Sequence, residues 1–70
     1  MQPILFTISP IYNGWQVHDE LRCRDWYERL DDAVASAGNL AQLRHALTGQ
    51  PTAVAVSTID GEAAIRLRHG

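Results

Sequence analysis

The segment TAVAVSTIDGEAAIRLR, residues 52–68, carries the clearest structural signal in this sequence. Small and apolar residues fill its first half, apolar residues and arginines fill its second half, and Asp-Gly separates them at 60–61. An Asp-Gly pair between apolar runs is typical of a β-hairpin with a two-residue turn, because both residues tolerate a positive φ. The large apolar side chains then pair on one face, Val56 with Ile65 and Val54 with Leu67.

A second hairpin is predicted by IYNGWQV, residues 11–17. Asn13-Gly14 is the pair that a type I′ turn prefers, and this turn places Tyr12 opposite Trp15. Period-two alternation then gathers most of the bulk on one face, namely Ile4, Phe6, Ile8, Pro10, Tyr12, Trp15 and Val17. We therefore expect Trp15 to lie in the core rather than to contact a ligand.

A third strand and one helix are expected between the hairpins. HDEL, residues 18–21, predicts a turn into a strand at about 22–27, and LDDAVASAGNLAQLRHALTG, residues 30–49, predicts the helix. Asp31 is a suitable N-cap, and Gly49 followed by Pro51 ends the helix. Gly38-Asn39 leaves a break into two helices open. The apolar arc, which stays in phase across the glycine and includes Leu47, favours one helix.

The element order β-β-β-α-β-β predicts a two-layer α+β domain, an antiparallel sheet of four or five strands with one helix packed on one face. The strand order is left open. All 70 residues form a single small domain, 1–70. A domain of this size buries only roughly 60% of its unfolded surface, so a homodimer is a simple way to bury more.

Net charge, cysteine content and hydropathy limit the classes of function that this protein can have. The net charge of −2 gives no global field that attracts nucleic acid or an anionic membrane, although a local basic face is compatible with it. A single cysteine, Cys23, forms no intramolecular disulfide. No stretch resembles a signal peptide or a membrane span, so a cytoplasmic protein is expected.

The sequence resembles a family of short bacterial domains of unknown function. The resemblance rests on Gly14-Trp15-x-Val17, on the alanine-rich helix start at 32–41, and on Asp-Gly at 60–61 before the last strand. It covers about residues 12 to 68, and QLRHALTGQ at 42–50 departs from it by lengthening the helix. The resemblance implies a small sheet with one helix and no established activity, so no functional residue follows from it.

No catalytic, cofactor or metal motif is found. Cys23 and His18 have the residue types of a nucleophile and a base, but strand alternation places them on opposite faces. The histidines at 18, 45 and 69 have neither a histidine partner four residues away nor a cysteine pair, so solvated surface positions are expected. We therefore expect neither an enzyme nor a cofactor protein.

Four of the six arginines are predicted to lie on the sheet face away from the helix. This candidate binding face consists of Arg22, Arg24, Trp26, Arg66 and Arg68. Arginines beside an aromatic ring suit phosphates and bases, which makes a nucleic-acid-binding module the alternative function. A solvated outer face is the simpler interpretation, because the outer side of an antiparallel sheet is polar by default.

Small and apolar residues on the same face suggest protein contacts. Ala53, Ala55 and Ala64 are weak strand residues when exposed, and they let another surface approach closely. Leu5 and Ile11 add apolar area there. The leading prediction is a non-enzymatic protein-interaction module that self-associates as a homodimer or binds an unidentified protein partner.

Overall fold

Six elements follow the predicted order β-β-β-α-β-β. The computed structural model describes residues 3–19 and 22–70, so half of the expected HDEL turn lies outside the described residues. The elements are β1 (Ile4–Ile11), β2 (Gly14–His18), β3 (Cys23–Tyr27), α1 (Leu30–Thr48), β4 (Thr52–Ser57) and β5 (Ala63–His69). One helix packs on one face of a five-stranded sheet, which confirms the two-layer α+β class.

The strand order is β3-β2-β1-β4-β5, and one pairing departs from the expected antiparallel sheet. The central strands β1 and β4 are parallel, whereas β1–β2, β2–β3 and β4–β5 are antiparallel. Parallel strands need a long crossover rather than a tight turn. Here β2, β3 and α1 together form that connection, and the sheet is therefore mixed.

The first hairpin turns one residue earlier than the sequence predicts. Tyr12 and Asn13 form the turn, and pairing begins between Ile11 and Gly14. Neither turn residue has a positive φ, so the turn is not type I′. The predicted Asn13-Gly14 loop is therefore wrong, and Tyr12 is fully exposed rather than part of the apolar face.

Gly14 is required by a close contact rather than by a turn. A Cβ atom at this position would lie 2.5 Å from the Tyr27 carbonyl oxygen and 2.7 Å from two atoms of the Trp26 indole. Those distances are well inside van der Waals contact. Glycine at this position lets β3 and its tryptophan lie directly against β2.

The second hairpin has a longer loop than predicted. The Gly61 N–H donates to the Thr58 carbonyl at 3.0 Å, and the Thr58 N–H donates to the Glu62 carbonyl at 2.7 Å. Gly61 has a φ of 89°, which favours glycine. The loop is therefore Ile59 to Gly61, three residues rather than two.

The predicted register of this hairpin is confirmed at one end only. Val54 pairs with Leu67 as predicted, but Val56 pairs with Ala64 and not with Ile65. A bulge between Val54 and Ala55 causes the difference, because β5 contains one extra residue there.

The helix is continuous through Gly38, as the apolar arc predicts. It ends at Gly49, whose φ of 73° is left-handed and whose N–H donates to the His45 carbonyl at 2.8 Å. Leu47 departs from the predicted arc, since 75% of it is exposed. No helix in residues 3–19 and 22–70 combines the length and hydropathy that crossing a membrane requires.

The helix start differs from the expected cap at Asp31. Arg29 holds the N-cap position with extended backbone angles, and no side chain caps the helix there. Asp31 and Asp32 lie in the first turn, where a negative charge stabilises the positive end of the helix dipole.

We expect Arg29→Ser to raise the free energy of unfolding by about 1 kcal/mol, because serine at an N-cap accepts a hydrogen bond from a free helix N–H. Urea denaturation followed by circular dichroism measures the change. Arg29→Ala is the matched control, since it removes the same side chain without supplying an acceptor. Equal stability of the two variants would contradict this account of the cap.

The core lies between α1 and the sheet face that contacts it. Its buried residues are Phe6, Ile8, Val17, Val54 and Val56 from the sheet, with Ala33, Ala37 and Ala41 from α1. The alanine face lets the helix lie close to the strands. Trp15 is partly buried and packs against this cluster, which confirms its expected place in the core.

Candidate functional site

The sheet face opposite α1, which we call the outer face, has no element covering it among the described residues. Its residues alternate with those that contact the helix. They are Leu5, Thr7, Ser9 and Ile11 of β1, Gln16 and His18 of β2, Cys23 and Trp26 of β3, Ala53, Ala55 and Ser57 of β4, and Ala63, Ile65 and Arg68 of β5.

Apolar side chains are prominent on the outer face. Leu5, Ile11 and Trp26 are 38%, 39% and 40% exposed, and Ile65 is 52% exposed. The alanines of β4 behave differently, because Ala53 and Ala55 are buried although they point away from the helix. Their cross-strand neighbours Leu5 and Thr7 on β1 and Ile65 and Arg68 on β5 are larger and flank them.

Charge is scarce on the outer face. Arg68 is its one permanently charged side chain among the described residues. The remaining positions are apolar, hydroxyl, amide, thiol or imidazole groups. The solvent-facing side of an antiparallel sheet usually consists of charged and strongly polar residues. The composition of this outer face is therefore unusual for a surface that contacts only water.

The predicted arginine face is divided by a bulge in β3. Pairing between β2 and β3 shifts between Val17 and His18, and Arg24 is the extra residue. Its guanidinium turns toward the helix side, where Nε donates to Asp19 Oδ2 at 2.9 Å. The expectation that Arg24 shares the outer face is therefore wrong.

A second bulge removes Arg66 from the same face. Arg66 is the extra residue of β5 opposite the shift between Val54 and Ala55. It lines a cavity on the helix side together with Leu30, Asp31, Val34 and Leu67. The expectation that Arg66 lies on the outer face is wrong for the same physical reason as for Arg24.

The remaining candidates lie far apart. Trp26 is on β3 and Arg68 is on β5, the two edges of the sheet, about 19 Å from each other at roughly 4.8 Å per strand spacing. Arg22 is exposed just before β3, where its N–H donates to Asp19 Oδ1 at 3.0 Å. The structure therefore does not gather the five predicted residues into one basic patch.

Asp19 is the centre of the best-defined polar cluster. Its side chain is 1% exposed, and Oδ2 lies 2.9 Å from Arg24 Nε and 3.7 Å from Arg44 Nη2. Arg44 comes from α1 and lies over the Phe6 ring, with Cζ 5.6 Å from the ring centroid. The carboxylate thus connects β2, β3 and the helix. Nothing in the sequence pattern distinguishes Asp19 from the other acids.

His18 and Cys23 lie on the same face, in contrast to the sequence expectation. They are direct cross-strand partners because the β3 bulge reverses the facing of Cys23. Ser9 Oγ lies 2.9 Å from His18 Nε2, and the Cys23 thiol is free and exposed. A hydroxyl, an imidazole and a thiol are therefore neighbours at one side of the outer face. No carboxylate in the described ranges is hydrogen-bonded to His18.

The other expected site residues are isolated. His45 Nδ1 lies 2.7 Å from the Gln50 carbonyl oxygen beyond the helix end, and His69 is at the end of β5. Within the part of the chain that the structure describes, no group of three or more histidine, cysteine, aspartate or glutamate side chains is arranged to hold a metal ion.

Comparison with known proteins adds no functional information. No family model, curated protein or solved structure matches this chain. The resemblance to short bacterial domains stays a prediction.

Proposed function

We propose that this protein is a non-enzymatic interaction module whose outer face binds a second copy of the same chain. The observation that supports it best is an uncovered sheet face with four partly exposed large apolar residues and one permanent charge among the described residues. Two sheets stacked face to face pack about 10 Å apart, as in a β-sandwich.

Charge distribution favours a second copy as the occupant. The described acids lie off the outer face, in the Asp19 cluster, on the helix side at residues 25–32, or in the β4–β5 loop region at 60–62. The net charge of −2 therefore does not oppose contact between two outer faces. An apolar face of this kind is compatible with a two-fold axis, in which each copy presents the same patch.

The size of the outer face limits the area that a dimer can bury. Five strands span about 19 Å, and strands of this length are about 17–27 Å long. Stacking two such faces buries on the order of 1,000 Å² in total, the lower end of specific interfaces. A weak, concentration-dependent homodimer is therefore the form we propose.

The nucleic-acid alternative loses its main structural support. It requires arginines beside Trp26 on one surface, whereas Arg24 is paired with Asp19 and Arg66 lies beside α1. A cytoplasmic location is part of the proposal, because an exposed free thiol such as that of Cys23 suits a reducing compartment.

We expect Ile65→Lys to weaken the dimer at least about tenfold, because a two-fold interface places the new charge in the contact from both sides. Sedimentation equilibrium over a concentration series measures the dissociation constant. Ile59→Lys is the matched control. It makes the same substitution in the same hairpin, at a loop position that is 92% exposed.

Two results would contradict the proposal. One is a wild-type protein that stays monomeric at the highest concentration reached. The other is an equal loss of dimer in Ile59→Lys and Ile65→Lys, because the effect would then reflect net charge rather than the outer face.

A further inference from the structure

A groove lies on the helix side of the molecule, away from the outer face. Its volume is about 160 Å³, and it lies between α1 and the start of β3. It is lined by Phe6, Arg24, Leu40, Leu43, Arg44 and Leu47. Pockets for drug-sized ligands are about 300–1,000 Å³, so this space suits a single side chain rather than a cofactor.

Among residues 3–19 and 22–70, two arginines and one carboxylate meet at the groove. Arg24 donates through Nε, so its terminal N–H groups stay available. Arg44 Nη2 is 3.7 Å from Asp19 Oδ2, too far for a hydrogen bond. The two arginine side chains are 31% and 28% exposed, so a ligand can reach them.

The apolar wall of the groove is open to solvent. Leu43 and Leu47 are 57% and 75% exposed, and they lie one helical turn apart on the same side of α1. Single exposed leucines are ordinary, but these two stand directly beside the pair of arginines. An apolar wall next to two guanidinium groups that share one carboxylate matches a ligand that ends in a second carboxylate.

A wider groove continues the first along the helix. It shares Leu40 and Leu43 with it and extends past Asn39 and Ser36 to Tyr27 and to the carboxylate of Asp32 at its far end, with a volume of about 540 Å³. From Arg44 to Ser36 the helix rises about 12 Å at 1.5 Å per residue. An extended peptide covers that distance with three to four residues at about 3.4 Å each.

We propose that these joined grooves bind the C-terminal end of an extended peptide whose last residue is apolar. The terminal carboxylate accepts hydrogen bonds from Arg24 and Arg44, and charge-assisted bonds of this kind are the strong ones. The last side chain packs against Leu43 and Leu47, and the preceding residues follow α1 toward Ser36. This site lies on the other side of the sheet from the self-association surface. It would bind the unidentified protein partner through that partner's C-terminal carboxylate and last apolar side chain.

The first test compares two forms of one short, fluorescently labelled, serine-rich peptide that ends in leucine. One form has a free C-terminal carboxylate and the other a C-terminal amide. We expect the acid to bind at least about tenfold more tightly, because the amide loses the charge-assisted contacts. Fluorescence polarisation measures the affinities, and backbone amide shifts locate the site at residues 40–47.

Variants separate the two parts of the site. Arg44→Gln should reduce binding of the acid about tenfold. Arg68→Gln, which removes an arginine from the outer face, should leave binding unchanged. Leu43→Ser should weaken the acid and the amide alike, since it removes apolar wall and no charge. The circular dichroism spectrum of each variant confirms that it is folded.

Three outcomes would overturn the inference: equal binding of acid and amide, an Arg44→Gln variant that binds like the wild type, or binding of hexanoate without binding of the peptide. The last outcome would assign the groove to a small carboxylic acid instead. None of them bears on the dimer, because Ile65→Lys and Ile59→Lys test the outer face separately.

Discussion

Gly14→Ala is expected to lower the free energy of unfolding by about 3 kcal/mol, at the upper end of the cost of overpacking. The new methyl group would lie 2.5 Å from the Tyr27 carbonyl oxygen and 2.7 Å from Trp26 Cε2 and Nε1. A backbone oxygen held in a sheet has little freedom to move away. Strands β2 and β3 would therefore separate, and urea denaturation would measure the loss.

Gly38→Ala is the matched control for this prediction. Its added Cβ meets only Leu67 Cδ1, at 3.0 Å, which is the far end of a flexible side chain. Alanine inside a helix is favoured over glycine by about 1 kcal/mol, which offsets that contact. We expect a change within about 1 kcal/mol for Gly38→Ala. Similar losses in the two variants would show that Gly14 has no special contact.

Asp19→Ala is expected to cost about 2 kcal/mol of stability. The substitution removes the carboxylate that accepts from Arg24 Nε and from the Arg22 N–H, and that also lies 3.7 Å from Arg44 Nη2. Breaking a fully buried pair costs about 3–5 kcal/mol, but these arginines are partly exposed and can turn to water. Chemical denaturation with tryptophan fluorescence would report the change.

Glu28→Ala provides the comparison for Asp19. Glu28 is exposed, and such a surface substitution typically changes stability by less than about 0.5 kcal/mol. If Asp19→Ala were as mild as Glu28→Ala, the cluster would not hold β2, β3 and the helix together.

The faces of the first hairpin could be predicted although its turn could not. The actual loop at Tyr12-Asn13 lies one residue before the predicted Asn13-Gly14 loop. Each residue of β1 therefore pairs two positions away from its expected partner, and a shift of two keeps every side chain on its face. Val17 and Trp15 consequently reach the core as the apolar pattern indicates.

The prediction of which residues form the candidate binding face was wrong where the strands contain bulges. Alternation assumes an unbroken ladder, and one extra residue reverses the facing of the residues around it. Bulges in β3 and β5 did this at Arg24 and Arg66. Packing between strands and helix sets such bulges, so a reading of strand periodicity alone does not locate them. The parallel pairing of β1 with β4 similarly depends on how α1 crosses the sheet.

The groove between α1 and β3 could not be predicted from the sequence pattern either. It depends on Asp19 and Arg24 meeting Arg44, which lies 20 positions after Arg24 in the chain. The exposed Leu47 was a weak signal, because it fits the apolar arc of the helix equally well. Only the tertiary arrangement shows that it borders a groove rather than the core.

The most direct test of self-association is an isotope-filtered NOE spectrum of a mixture of labelled and unlabelled protein, which detects contacts between copies only. Self-association through the outer face predicts intermolecular contacts from the methyl groups of Leu5 and Ile65 and from the Trp26 indole, and their loss in Ile65→Lys. Intermolecular contacts confined to Leu43 and Leu47 on the helix side would contradict it, because the copies would then meet through the other surface of the molecule.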